Sequence, residues 1–456
     1  MNNTVNKNIV LLITTMSSFL APFMGSSVFI GLPSIGKEFS MDVVMLSWVS
    51  TAYLLAAAMF LVPFGKIADI HGRKKIFKYG IAIDIIASLL LVFSFNEMEL
   101  IALRVMQGIG AAMIFGTGVA ILTSVYPPGE RGKALGINVA GVYLGLSLGP
   151  VVGGFLTQNF GWRSIFISYI PLELIIIALT LLKMNGEWAD AKGEKLDSVG
   201  SAVYGFSLAA MMYGFSILPG IQGAQLILVS IFGLAAFVKW ETKARSPVLD
   251  INLFLKNMVF TFSMLAALIN YSATFAVAFF MSIYLQNVKG FDPQTAGLIL
   301  VAQPVVMAAF SPVAGRLSDK IEPRVVSSIG MAFTTAGLLL LSFLNEGTAV
   351  EYIVASLIIL GFGFALFSSP NVNAVMSSVE KKFYGVASAT LGTMRLTGQM
   401  LSMGIATLIV AVYLGNVQIT PEYDPVFLKS LNAAFMVFAA FCFFGIFASL
   451  GRGKVR

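Results

Sequence analysis

The chain has 456 residues, 57% of them hydrophobic and only 11% charged, with a mean hydropathy of +0.87. A soluble protein carries about 25% charged residues, so this composition excludes a single soluble-type core and marks a polytopic membrane protein. The net charge of +7 is read as Lys and Arg gathered in loops on one side of a membrane, not as affinity for nucleic acid. One cysteine, Cys442, and one histidine, His71, leave no internal disulfide and no metal centre to expect. No cofactor is expected either.

Apolar runs of about 20 residues, each long enough to cross a bilayer as a helix, recur from end to end. They predict helices over 9–31, 46–65, 76–95, 99–122, 134–157, 163–184, 198–218, 224–241, 258–286, 295–316, 325–344, 351–369, 384–413 and 427–450. The first run is too long for a signal-peptide core and lacks a small-residue cleavage site, so it reads as a retained helix. The seventh and eighth are short and rich in Gly. The charged stretch "GKIADIHGRKK", residues 65–75, reads as a short turn between helices 2 and 3.

Loop charges orient this chain of fourteen helices. Lys66 to Lys78, Arg131, Lys133, Lys183, Lys192, Lys195, Lys239, Lys243, Arg245, Lys256, Arg316, Lys320, Arg324, Lys381, Lys382, Arg452, Lys454 and Arg456 all share one side. With Lys7 that makes about 23 of the 29 basic residues, against about four opposite: Lys37, Arg163, Lys289 and Lys429. The bias places that side and both termini in the cytoplasm, in the cell membrane, and an even number of helices agrees with it.

The chain also repeats itself. Gly65 and Asp69 recur as Gly315 and Asp319, 250 residues on. Gly108 and Gly110 recur as Gly361 and Gly363, Gly132 as Gly385 and Gly145 as Gly398, each 253 residues on. A duplicated multi-helix unit typifies secondary transporters, whose halves rock around a site near the bilayer midplane. The offset exceeds six helices, so an inserted pair is read between two six-helix bundles. The expected division is 1–185, 186–257 and 258–456.

At this point the whole chain resembles the major facilitator superfamily. "GKIADIHGRKK" is similar to its signature G-x-L-x-D-x-x-G-R-[RK] through Gly65, Asp69, Gly72, Arg73 and Lys74. "RVMQGIGAA" is similar to the helix 4 motif through Arg104, Gln107, Gly108 and Gly110. "GLSLGPVVGG" is similar to the antiporter motif of helix 5 through Gly145, Gly149, Pro150, Gly153 and Gly154. "WVSTAYLL" fits through Trp48 and Tyr53. With fourteen helices, the resemblance is to the drug:proton antiporter (multidrug efflux) branch. It implies alternating access, proton coupling, a small lipophilic substrate and a monomer among membrane lipids. The branch usually carries an aspartate in helix 1, where this chain has Met24.

Each motif also has a physical reading. Gly65 and Gly72 allow a tight turn, and Asp69 can cap the next helix or pair with Arg73, so the cluster can latch one conformation. Gly315 and Asp319 would do the same in the second half, while Arg73, Lys74 and Lys75 also serve orientation alone. Gly141, Gly145, Gly149 and Gly153 make one smooth helix face, for sliding halves or for a static close contact. Arg104 lies inside a membrane helix, where a charge is expensive; it either faces the interior with Gln107 or snorkels to the interface. Asp84 and Glu173 are intramembrane carboxylates able to replace the missing helix 1 acid, or to serve as structural partners. Asn270, Tyr271, Gln303, Asn371, Asn373, Arg395 and Gln399 are polar positions in apolar helices, suited to line a cavity or to join helices. The reading is a transporter exporting lipophilic compounds against protons. The alternatives are a dedicated metabolite or lipid exporter and, remotely, an integral-membrane enzyme, for which no clustered catalytic motif or soluble domain is found.

Overall fold

The computed structural model describes residues 6–127, 130–244, 247–249, 251–380, 384–415 and 417–453; for 131, 132, 252, 253 and 385 it describes the backbone alone. Arg245, Lys381, Lys382, Lys454 and Arg456 of the charge tally lie outside the described residues. Fourteen long helices run in order: α1 (Lys7–Phe39), α2 (Val43–His71), α3 (Arg73–Val92), α4 (Glu97–Val125), α5 (Arg131–Phe160), α6 (Arg163–Leu182), α7 (Ser198–Ser216) and α8 (Ile221–Glu241). Then follow α9 (Met258–Val288), α10 (Pro293–Ser318), α11 (Pro323–Leu341), α12 (Val350–Ser377), α13 (Tyr384–Tyr413) and α14 (Asp424–Gly451). α9 breaks after Thr274 and ends in a π-helical turn at Tyr284–Val288; α10 breaks at Val301.

Twelve of these are long and apolar enough to cross a membrane. α3 falls short because Arg73, Lys74, Lys75, Lys78 and Asp84 share its 20 residues, and α7 because Ser, Gly and Tyr dilute it. Both still pack among the others, α3 on α4 and α6, α7 on α2, α8 and α13. The protein is an all-α, multi-pass membrane protein.

Side-chain caps fix many of the helix starts. Asn6, Asp42, Asn96, Asp197, Asn257 and Asp292 each accept a backbone N–H of the helix they precede. Asp292 also takes the Thr295 hydroxyl at 2.7 Å, and these bonds hold its carboxyl below the usual carboxylate range. Two helices run on through a proline beyond their expected ends. α1 passes Pro33 to Phe39 and α12 passes Pro370 to Ser377. Inside lipid, breaking a helix at proline would strand more backbone groups than the one bond proline removes.

Two six-helix bundles result. In the first, α5 packs on α1, α4 on α2 and α3, and α6 on α3; in the second, α13 packs on α9, α12 on α10 and α11, and α14 on α11. The pairings correspond one for one, down to the glycines. A Cβ on Gly108 would strike the Tyr53 carbonyl, and one on Gly361 the Gln303 carbonyl. A Cβ on Gly145 would strike the Phe19 carbonyl, and one on Gly398 would sit 2.8 Å from that of Leu268. Gly132 and Gly385 are each the second residue of their helix. α7 leans across the seam, with Phe215 and Met212 against Gly404 on α13 and Met59 of α2 beside Gly205.

Overpacking a buried contact costs roughly 1–3 kcal/mol. Gly145→Val is therefore expected to lower the melting temperature of the purified protein by several degrees. Gly25→Ala, with nothing within 4 Å of its new methyl, should leave it unchanged. Equal shifts would refute backbone contact as what holds α5 on α1.

Candidate functional site

The first bundle encloses a polar chain built from four helices, α2, α3, α4 and α6. Arg104 on α4 is 1% exposed, so it faces inward and does not snorkel. Its Nε donates to the Val49 carbonyl at 2.8 Å, its Nη1 donates to Gln107, and its guanidinium lies 4.6 Å from the Tyr53 ring centre. Gln107 donates to Ser88 of α3 at 3.0 Å. One turn away on α3, Asp84 accepts the Tyr169 hydroxyl of α6 at 3.2 Å. Glu173, one turn along α6 from Tyr169, brings its carboxyl within hydrogen-bonding reach of Asp84. Both acids are almost fully buried, and Asp84 Oδ1 and Glu173 Oε2 find no donor among the described residues. They border a cavity of about 10 Å³, the room that one water needs, closed on the α1 side by Ser17 and Leu20. Asp84, Glu173, Arg104, Gln107 and Tyr53 are thus brought together. Met24, on α1, is itself buried.

The charged stretch at 65–75 is less of a turn than its sequence implies. Helix α2 continues to His71, and the whole reversal is Gly72, at φ +113°, a backbone conformation that favours glycine. Gly65 is helical, and Gly116 of α4 packs against its backbone. Asp69 does not cap α3. It binds Arg73, which donates Nε at 2.7 Å, and Arg73 also reaches Ser124 and Asp190. The cap comes from the linker after α6. Glu187 accepts the N–H groups of Lys74 and Lys75, Trp188 accepts that of Arg73, and Glu194 pairs with Lys66 at 2.7 Å. The second-half counterpart differs. Gly315 approaches Ser369, and Asp319 accepts Asn373 Nδ2 at 3.2 Å.

The glycine face of α5 rides on α1 of its own bundle, where Gly141, Gly145, Gly149 and Gly153 meet Thr15, Phe19, Phe23 and Ser27. The neighbouring residues make the contact between bundles: a Cβ on Gly154 would sit 3.0 Å from Gln294 Cα, and one on Gly297 would strike the Pro150 carbonyl. Other bonds between the bundles lie toward the same end. Ser47 and Thr407 share one at 2.8 Å, Ser282 donates to the Phe29 carbonyl, Gln286 to that of Ile30 and Gln418 to that of Ser40. At the end that carries the chain's termini, no hydrogen bond or ion pair joins α1–α6 to α9–α14 among the described residues.

The second-half polar positions scatter. Asn373 sits at the terminal end with Ser318 and Asp319, not in a mid-membrane cavity. Asn371 and Ser263 bind Arg452, which is 0% exposed; it is no loop charge but a buried cation held by neutral oxygens. Asn270 lies inside the second bundle beside Cys442. Gln303 lends α12 its backbone carbonyl at Gly361, and Gln399 is buried. Arg395 and Tyr271 reach the seam together, the guanidinium over the Tyr271 ring at 5.6 Å and that ring packed on the cluster of Tyr143 and Phe364.

The profile described as Major Facilitator Superfamily matches residues 14–292 and 263–454. The chain belongs to the Major Facilitator Superfamily. Within it, the chain is 29% identical over 443 residues to "Riboflavin transporter RibZ" of Clostridioides difficile, covering 96% of each. It is 26% identical over 410 residues to "Multidrug resistance protein Stp" of Mycobacterium tuberculosis, covering 89% of this chain and 76% of that one. The "Tetracenomycin C resistance and export protein" of Streptomyces glaucescens is 24% identical over 412 residues, with 89% and 76% covered. A bacterial homologue of the human lysosomal transporter Spinster, solved in an inward-facing, unoccupied conformation, superposes with a TM-score of 0.69 at 17% identity, over 98% of this chain and 97% of that one. The protein is a membrane transporter of this superfamily.

For this superfamily member, the sequence reading missed Tyr169, Ser88, Arg452 and the linker acids. Tyr169 was findable, since it stands four residues before Glu173 and so on the same helix face. The acids of "NGEWADAKGEK" mirror the bases of "GKIADIHGRKK", a complementarity visible in the sequence alone.

Replacing Arg104 by Leu would leave the Val49 carbonyl and Gln107 without their partner. A buried unmade hydrogen bond costs roughly 1–3 kcal/mol, so the variant should melt several degrees lower than wild type. An unchanged melting temperature would show that Arg104 does not hold α4 to α2.

Proposed function

We propose that this chain is a proton-coupled secondary transporter that works by alternating access and exports lipophilic small molecules. The observation that carries this is the buried pair of Asp84 and Glu173. Two ionised carboxyls side by side in a site closed to water repel each other strongly, and a proton held between them removes that repulsion. Arg104 is close enough to balance one negative charge. Loss and gain of one proton would then change the packing of α3 against α6. The face bearing the termini is taken as cytoplasmic, from its excess of Lys and Arg. Among the described residues the bonds between the bundles lie toward the other end, with Tyr143–Ser368 nearer the middle, and this conformation is read as open to the cytoplasm. Residues 1–185 and 258–456 are proposed as the rocking units, with 186–257 as an insert whose linker grips the turn at Gly72, and the working unit as a monomer.

A second reading is a dedicated metabolite transporter. Met24, where the resemblance expects an acid, favours it, as does the relative named a riboflavin transporter. Either reading favours transport over an integral-membrane enzyme.

In an efflux-deficient bacterial strain, the wild type should export lipophilic dyes in a way that a protonophore abolishes. Asp84→Asn and Glu173→Gln should each reduce that export at least tenfold with membrane levels unchanged. Export that resists the protonophore, or survives both substitutions, would contradict coupling at this pair. A second test concerns the seam. A Ser47→Cys, Thr407→Cys double variant should form a disulfide on oxidation and stop transport, with reductant restoring it. Full transport in the cross-linked protein would overturn alternating access between these bundles.

A further inference from the structure

Arg395 is a charged side chain that no oxygen among the described residues satisfies. It sits 11 residues into α13, about 16 Å from that helix's terminal end at 1.5 Å per residue, and is only partly buried. Among the described residues no carboxylate lies within ion-pair distance and none accepts a hydrogen bond from its guanidinium. Its contact is the face of Tyr271, which packs edge-on against Phe364. Phe364 clusters with Met307 and with Tyr143 of α5, so the wall is drawn from both bundles. The Tyr143 hydroxyl donates to Ser368 across the seam at 3.3 Å. The other two buried arginines differ. Arg104 is committed to Val49 and Gln107, and Arg452 to Ser449, Asn371 and Ser263.

A guanidinium inside a membrane protein presents five donors in a plane and is strongly penalised if they stay empty. Arginine stacks flat on aromatic faces and pairs with oxygen anions through a two-pronged fork. The acids Asp84 and Glu173 are enclosed within the first bundle and are not offered to the seam.

We infer that Arg395 is the recognition group for the transported molecule, and that this molecule is a planar aromatic compound bearing an anionic or strongly hydrogen-bond-accepting oxygen. Its ring lies among Tyr271, Phe364 and Tyr143, and its oxygen meets the Arg395 fork. Lipophilic cations are disfavoured, because the protein cation repels them and no carboxylate at the seam offsets it. This assignment rests on the transport reading for its meaning, but it can be tested separately.

Fluorescein and rhodamine 123 share a ring system and differ in charge. Binding of each to the purified full-length protein would be followed by fluorescence anisotropy, and transport in proteoliposomes under a proton gradient. Wild type should bind fluorescein more tightly than rhodamine 123. Since hydrogen bonds to charged groups are the stronger ones, Arg395→Gln should weaken fluorescein binding about ten- to hundredfold and leave rhodamine 123 unchanged or improved. Arg395→Lys should fall between. A wild type that binds neither dye or prefers rhodamine 123, or an Arg395→Gln variant that loses both dyes equally or neither, overturns the inference. The wild-type preference decides the matter where the variant does not fold. Binding as expected without transport of either dye supports the Arg395 site and contradicts the export reading. Transport of fluorescein that ignores Arg395 does the reverse.

Discussion

Inside a bilayer no water satisfies a polar group, so each must find its partner within the protein. Most of this molecule follows from that constraint. Arg104 and Arg452 are buried cations, and each is met by carbonyl, hydroxyl or amide oxygens drawn from neighbouring helices. These bonds fix α4 against α2 in one bundle, and α14 against α9 and α12 in the other. Where the constraint is not met, function is expected. Among the described residues, Asp84 and Glu173 each keep an oxygen without a donor, and no oxygen accepts a hydrogen bond from Arg395. The titratable pair lies in the first bundle and the unsatisfied cation in the second. The counterpart of Asp84 at the repeat spacing is Thr334, which does not titrate, so under the proposed function the two halves would divide the work instead of duplicating it.

Two kinds of contact explain how such a body could move. Within each bundle, helices touch backbone to backbone at Gly108, Gly145, Gly361 and Gly398, a dense packing with one good geometry. Between the bundles, the described residues share backbone contact at Gly154 and Gly297 and a handful of single hydrogen bonds, all but Tyr143–Ser368 toward one end, each worth about 1 kcal/mol net. Rigid units joined by a weak seam rock; they do not deform. The linker that caps α3 with Glu187 and pairs Arg73 with Asp190 ties the insert to the first bundle, so α7 would follow that bundle while sliding on α13.

Bilayer thickness wrote the spans into the sequence, and duplication wrote the repeat. Both survive in the fold because length and spacing are one-dimensional properties. Arg104, Asp84 and Glu173 were also legible, since an ionisable residue within a long apolar run is conspicuous. Partners were not. A helix period shows which residues share a face, but not which helix that face meets, so the groups that Tyr169, Ser88 and Glu187 bind emerged only from packing. Arg452 read as a loop charge because it follows the last apolar run; its burial depends on Asn371 and Ser263, 81 and 189 residues away. Asn373 failed in the opposite sense. It looked buried within an apolar stretch, yet α12 extends past Pro370 and carries it out to the terminal end.

Asp84 and Glu173 are proposed to hold and exchange a proton as one unit. Infrared difference spectroscopy of the purified protein in lipid tests this directly, by following the stretching band of a protonated carboxyl through a pH titration. One such band is expected in wild type, titrating as a single coupled group and altered by either Asp84→Asn or Glu173→Gln. A spectrum with no protonated-carboxyl band at any pH at which the protein is folded, or a band indifferent to both substitutions, would contradict it.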